Sequence, residues 1–386
     1  MSIYFDNAAT TKLDDSVKEL ISSLSSEVFG NPNSIHSQGR KAKKYIEEAR
    51  KVFSEFLKCD ASEIVFTSCA SESNNFFLKQ MPADLIITSP SEHSCVLESV
   101  KASGKKIHWL SLDQYGYFQR DELKKLVLDN LDKTILISLM YGNNEIGSVN
   151  DIEYLSTLRK FHSKLFIHSD CVQALTKLDI DLSKLNIDSI SCSAHKIHGP
   201  KGVGFIYLNK RVQGILSLKN LSLIHGGGQE SGFRSGTQNV VGIAAFAQAI
   251  KVSSDNLFLK KLDHYFLDKL FEFKELVTLN SPFDKRVPGI FNIYLPKSRL
   301  NSEELVLQLD LKNICVSSGS ACSSLKGDSQ IISSYVLRAC GIPSSIAEKS
   351  VRISLSRHNT SIEIDHFFQI IAELSTKFPL ELNQTC

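Results

Sequence analysis

The stretch SISCSAHKIHGPKGVGFIYL, residues 189–208, decides how the fold is read. One apolar run (189–194) stops at a polar turn, and a second (203–208) starts after Gly-Pro-Lys-Gly. Between them Lys196 lies between His195 and His198. Several of this chain's apolar runs, 203–208 among them, lack alternation, the pattern of strands covered on both faces. Working outward, β-branched apolar runs recur at 63–67 (EIVFT), 85–89 (LIITS), 106–112 (KIHWLSL), 134–141 (TILISLMY) and 165–170 (LFIHSD). Helical stretches separate most of them. Over 41–57, Ala42, Tyr45, Ile46, Ala49, Val52, Phe53 and Phe56 share one face of a 3.6-residue period. A further helix is expected over about 151–163. Alternating strands and helices joined by right-handed crossovers make an α/β domain with a mainly parallel sheet.

Past residue 250 the pattern changes. A charged helix (about 255–275) precedes a strand in PGIFNIYLP (288–296) and a helix near 302–312. Then come a Ser/Gly loop, SSGSACSSLKGD (317–328), the strand VRISLS (351–356) and a last helix at 361–377. This is a smaller α+β domain, and 386 residues suit two domains.

A net charge of +2 gives no reason to expect nucleic acid or an anionic membrane as partner. No apolar run nears the ~20 residues of a membrane span. MSIYFDNAATTK lacks the basic and apolar regions of a signal peptide, so a soluble cytoplasmic protein is expected. Nine cysteines at irregular spacing, with no C-x-x-C, argue for a reducing compartment rather than a disulfide framework, and no metal site is expected.

Polar residues gather just past the expected strand ends, where open α/β sheets bind ligands. A lysine such as Lys196 suits imine formation with a carbonyl cofactor once desolvation lowers its pKa, although most loop lysines are simply solvated. Asp170, closing LFIHSD, suits the protonated ring nitrogen of pyridoxal phosphate; its bland alternative is a helix cap. SCASES (68–73) opens a helix after a strand, so its N–H groups and Ser71 suit a phosphate, or Ser71 is an ordinary cap. HGGGQE (225–230) and RSGT (234–237) add glycines, Arg234 and Thr237, again suited to an anion.

In order, these pieces resemble the class V aminotransferase group of fold-type I pyridoxal-phosphate enzymes, and within it cysteine desulfurases of the NifS/IscS-like branch. The likeness runs through FDNAATT (5–11), FGNPNSIH (29–36), FTSCASESNN (66–75), SEHSCV (91–96) and NNEIG (143–147). It continues through SAHKIHGPKG, HGGG, RSGT, SSGSACSS and VRISLSR, essentially the whole chain.

The resemblance implies a seven-stranded large domain over 15–252 and a small domain over 253–386. An N-terminal segment (1–14) would pack on the latter, and a mobile loop at about 317–333 would carry Cys322. It implies that Lys196 binds pyridoxal phosphate covalently, that Asp170 keeps its ring nitrogen protonated, and that Gln173 and Asn144 bond the ring hydroxyl oxygen. Ser71, Ser193, His195 and the backbone near Ala70 would hold the phosphate, and Thr237 would reach it from the neighbouring subunit of a homodimer. His93 would stack on the ring and move protons. Arg352 would clamp the substrate α-carboxylate near Asn31, a planar guanidinium against a carboxylate. Cys322 would take sulfur from L-cysteine as a persulfide, leaving alanine, and deliver it to an iron–sulfur scaffold or another acceptor protein. Cys69 and Cys171 stand where the resemblance leads one to expect glycine and alanine. Two rival readings are a selenocysteine lyase or other β-lyase using the same lysine, and a non-catalytic scaffold for sulfur-transfer partners.

Overall fold

In the computed structural model, which describes residues 2–319 and 334–380, the seven apolar runs pair into one sheet. Its strands are Ile64–Thr67, Leu85–Thr88, Lys106–Trp109, Ile135–Ser138, Leu165–Asp170, Ser189–Ser193 and Gly204–Leu208. Across the sheet the order is 64–67, 204–208, 189–193, 165–170, 135–138, 85–88, 106–109. Gly204–Leu208 runs antiparallel to both neighbours, and the other pairings are parallel. The reversal follows from the sequence: the turn at 194–203 is too short for a crossover, so the second run of the opening stretch must return beside the first.

The unbroken apolarity has a direct cause. Ile64 and Phe66, Leu85 and Ile87, and Ile135 and Ile137 enter one core, while Val65, Ile86 and Leu136 between them enter a second core on the opposite face. Only Lys106–Trp109, at the sheet edge, is mostly open to solvent. The helix read at 41–57 spans Ser37–Leu57 and buries Ala42, Ile46, Ala49 and Phe53. Phe53 meets the rings of Phe66, Phe205 and Phe246 edge-on at 5.5, 4.9 and 4.8 Å. The helix expected at 151–163 is shorter: Ile152–Thr157 passes into a 3-10 turn, Leu158–Lys160, as the chain bends toward the next strand.

Beyond residue 253, Val351–Ser354, Ile290–Tyr294 and Thr278–Leu279 form an antiparallel sheet. Helices Leu257–Glu272 and Ser361–Lys377 supply Phe266, Phe367 and Phe368 to its separate core, where Phe266 stacks on Phe291 at 4.1 Å. The N-terminal segment joins the two regions. Ile3–Tyr4 pairs with Ile314–Cys315, Phe5 enters the C-terminal core, and Thr11 bonds the His195 carbonyl through its backbone N–H at 2.8 Å and its hydroxyl at 3.0 Å. Among the described residues no helix is long and apolar enough to cross a membrane.

Candidate active site

The parallel strands end on one edge of the sheet, and the loops leaving them surround a cavity of about 250 Å³. Ten residues singled out from sequence line it: Ala70, Ser71, His93, Asn144, Asp170, Gln173, Ser193, His195, Lys196 and Arg352. Asn31 and Thr237 do not. Both are exposed, and the Asn31 Oδ1 is taken up within its own turn by the Asn33 N–H at 3.0 Å. Cys322 lies outside the described residues.

Lys196 ends a 3-10 turn, Ala194–Lys196, directly after the Ser189–Ser193 strand. Its Nζ donates to the carbonyls of Ala8 and Ala9 at 2.8 and 2.7 Å. The turn is held in place from the N-terminal segment. His198 sits in the left-handed region (φ 66°), a costly conformation for histidine, and the Thr11 hydroxyl accepts its N–H at 2.7 Å while its ring nitrogen meets the Lys12 carbonyl at 2.9 Å.

Asp170 closes the Leu165–Asp170 strand and is buried. One carboxylate oxygen accepts the Asn74 Nδ2 at 2.8 Å and the other the Val172 N–H at 3.0 Å. The helix Ala70–Gln80 begins with Cys69 at the cap position, which gives no side-chain cap, so Ser71 is not the cap that its sequence position suggested. That leaves the helix start open toward an anion. Gly204 lets the helix start pack closely on the sheet: a Cβ there would lie 2.8 Å from the Cys69 backbone.

His93 caps the helix Ser94–Lys101, and its Nδ1 accepts the Cys95 N–H at 3.2 Å and lies 3.0 Å from the Cys95 thiol. Burial lowers the imidazole pKa, nearby Asp170 opposes that, and Lys196 adds to it. Cys95 is pushed up to about 12, by burial first and then by Asp170, so it is a neutral thiol. His195 is drawn down to about 4 by burial, with Lys196 and Lys201 contributing. Before His93, buried Glu92 accepts the Met140 N–H at 2.6 Å, and burial raises its carboxyl well above the ordinary range.

Arg352, 2% exposed, donates to Asp6 at 2.6 Å and to the Asn144 carbonyl at 3.1 Å. Buried polar atoms facing this region lack protein partners: Ser193 Oγ, Asn144 Oδ1 and Arg352 Nε. A closed protein rarely leaves such groups unsatisfied. Of the two unexpected cysteines, Cys69 lines the cavity and Cys171 is buried in the core as a small filler. Sequence reasoning passed over Asn74, Cys95 and Asp6. Asn74 was within reach, since it lies three residues after Ser71 and therefore on the same helix face.

The chain matches the family Aminotransferase class-V over residues 3–367. It is 36% identical over 389 aligned residues to a protein from Dictyoglomus turgidum named cysteine desulfurase IscS, covering 97% of this chain and 95% of the relative. Among solved structures it is similar to one described as a NifS-like protein, with TM-score 0.86 and 35% identity over 98% of this chain and 100% of that one. A second, described as SspA in complex with cysteine, gives TM-score 0.78 and 30% identity over 93% of this chain and 100% of that one.

Proposed function

The chain belongs to the aminotransferase class-V family, in its cysteine desulfurase branch, and from that premise we propose that it uses pyridoxal phosphate to convert L-cysteine to L-alanine, keeping the sulfur as a persulfide on Cys322. One observation carries the reading: Lys196, Asp170, His93 and Arg352, drawn from four separate segments, line a single cavity.

The residues present fit the cofactor. Ser193 Oγ and Asn144 Oδ1 are buried polar atoms in need of a partner, and the open helix start at Cys69–Ser71 suits a phosphate. Lys196 would be the covalent anchor. Asp170, oriented by Asn74, would hold the ring nitrogen protonated, and Gln173 and Asn144 would bond the ring hydroxyl oxygen. Ser71, Ser193, His195 and the backbone at Ala70 would take the phosphate. Bound there, pyridoxal phosphate supplies an electron sink at the substrate α-carbon.

The other steps belong to the chain's own residues. Arg352 would bind the substrate carboxylate through donors that Asp6 and Asn144 leave over, assisted by Asn31 in the FGNPNSIH segment. His93 would exchange protons with the substrate through Nε2, the ring nitrogen that Cys95 leaves over, and burial disfavours the doubly protonated ring. The Cys322 thiolate attacks the substrate sulfur. An S–S bond forms, the carbon–sulfur bond breaks, and its electron pair stays on carbon, which is protonated to alanine. Cys95 is a poor rival for that sulfur because a thiol held near 12 is almost wholly protonated at neutral pH.

The solved relative described with cysteine supports this substrate. Thr237, exposed and away from the cavity, supports service to the phosphate site of a second copy, hence a homodimer. The two separate cores support a large domain at 15–252 and a small one at 253–386, with 1–14 joined to the latter. Delivery of the sulfur to an iron–sulfur scaffold or another acceptor protein, in the cytoplasm, completes the proposal.

The test is alanine formed from L-cysteine by the wild type and Cys322→Ser, with pyridoxal phosphate and a reductant present. Alanine from the wild type alone is expected. Equal alanine from both removes the role of Cys322, and none from either overturns the reading.

A further inference from the structure

Four residues beyond Gln173, Lys177 is a buried amine with no part in the chemistry above. It follows Thr176, itself left-handed (φ 64°), and the Asn256 amide fastens this turn by donating to the carbonyls of Thr176 and Lys177 at 3.1 and 3.0 Å. Lys177 Nζ donates to Gln173 Oε1 at 3.2 Å. At the other end of the same amide, Gln173 Nε2 donates to the Ala8 carbonyl at 2.9 Å, and that carbonyl also accepts Lys196 at 2.8 Å.

A glutamine amide is nearly symmetric in shape, so packing alone does not choose between its two orientations. Here the choice is made chemically. A donor stands at one end and an obligate acceptor at the other, both in a buried setting where a mismatched contact is costly. Turning the amide over would set Oε1 against the Ala8 carbonyl and an N–H against the lysine. With Nε2 fixed, its second N–H remains for an acceptor in the cavity.

We propose that Lys177 is a positioning residue that holds the Gln173 amide with its donor end available to the ring oxygen of the cofactor, an inference that rests on the pyridoxal-phosphate reading of the cavity. The charged and titratable groups around Lys177 are Lys196 and Arg352, with His198, Asp255 and Arg357 lining a small void beside it. Burial, then Lys196 and Arg352, bring its pKa down to about 7. The ammonium can only donate, whereas the neutral amine can also accept, so the lysine end discriminates most strongly when charged and the Ala8 carbonyl holds the other end in either state.

The experiment is a pH titration of the visible absorbance of the holoenzyme, for wild type, Lys177→Met, Lys177→Arg, Gln173→Leu and Gln173→Leu/Lys177→Met. An N–H donated to the ring oxygen stabilises its anion and draws charge from the Lys196 nitrogen bound to the cofactor. Losing it should raise the midpoint of the absorbance transition by about half a pH unit or more. Lys177→Met is expected to show this rise, Lys177→Arg to reverse most of it, and the double variant to match Gln173→Leu. Lys177→Gln, which keeps a donor, replaces the arginine variant if that residue does not fit, and should likewise stay near the wild-type midpoint. An unchanged midpoint in folded Lys177→Met overturns the inference while leaving the cofactor reading intact. So does an equal further rise on the Gln173→Leu background, which would assign the effect to charge alone. A wild type with no visible band after reconstitution overturns both.

Discussion

Among the described residues two buried arginines, Arg286 and Arg352, meet carboxylates, and they are built differently. Arg286 gives both Nη groups to Asp263 at 2.7 Å each, adds the Ile290 carbonyl at 3.0 Å, and lies over the Phe291 ring at 4.3 Å. The same aspartate accepts the Gly289 N–H at 2.6 Å. Arg352 meets one oxygen of Asp6 and one backbone carbonyl, and it lines the cavity. A guanidinium has five donors. The first places both Nη groups on one carboxylate and is covered by one ring. Its Nε is unpartnered, as is that of Arg352, but only Arg352 also lines the cavity and keeps an Nη hydrogen on each arm for a ligand. Burial and an ion pair, common to both, therefore say little about role; the distribution of the donors says more.

Truncation should separate the two. Arg286→Ala strands Asp263 in a buried site, and a loss of about 3–5 kcal/mol in urea or thermal unfolding is expected. The protein that remains folded should keep its activity. Arg352→Ala should do the reverse. Its partner Asp6 retains some access to water and can rehydrate, so stability changes less, while kcat/KM for L-cysteine falls about a hundredfold or more. If Arg352→Ala costs only stability, or Arg286→Ala only turnover, the comparison fails.

The smallest effect probes what keeps Asp6 beside Arg352. The segment carrying Asp6 is tied to His198, whose pKa is pulled to about 4 by burial, against a raising contact with the Lys12 carbonyl and with His358, Lys177 and Arg357 adding to the fall. The folded state thus resists protonation while the unfolded chain takes it up near 6.5. Stability from this residue is full above about pH 6.5 and is lost as pH falls toward 4, by at most about 3 kcal/mol. Unfolding midpoints measured across that window should decline less in His198→Asn, since asparagine tolerates the left-handed backbone and does not titrate. Equal decline in both proteins would move the acid sensitivity elsewhere.

Local periodicity was enough to read the seven strands and the position of Lys196 just past one of them, whereas the direction change at 203–208 went unread in a sheet expected to be mainly parallel. The sequence also carried the residues of the site edge, since strand ends in a parallel sheet must converge. Element limits were less legible. The strand expected over 134–141 stops at Ser138; beyond it Leu139 enters the core and Met140 lines the cavity, and nothing in their apolarity marks the change. Cys69 was equally silent about taking the cap position from Ser71.

The partnerships arise from assembly. Asp6 and Arg352 are 346 residues apart, and nothing local brings them together; the N-terminal segment does, by adding to the C-terminal region before crossing to the lysine turn. Asn74 reaching Asp170 across two elements, and Ala8 accepting from both Gln173 and Lys196, are likewise products of assembly. The physical reason is common to all of them. Strand and helix patterns record which side of a residue is buried, whereas a hydrogen bond between distant segments depends on the direction and spacing of donors, and these exist only once the chain has closed on itself.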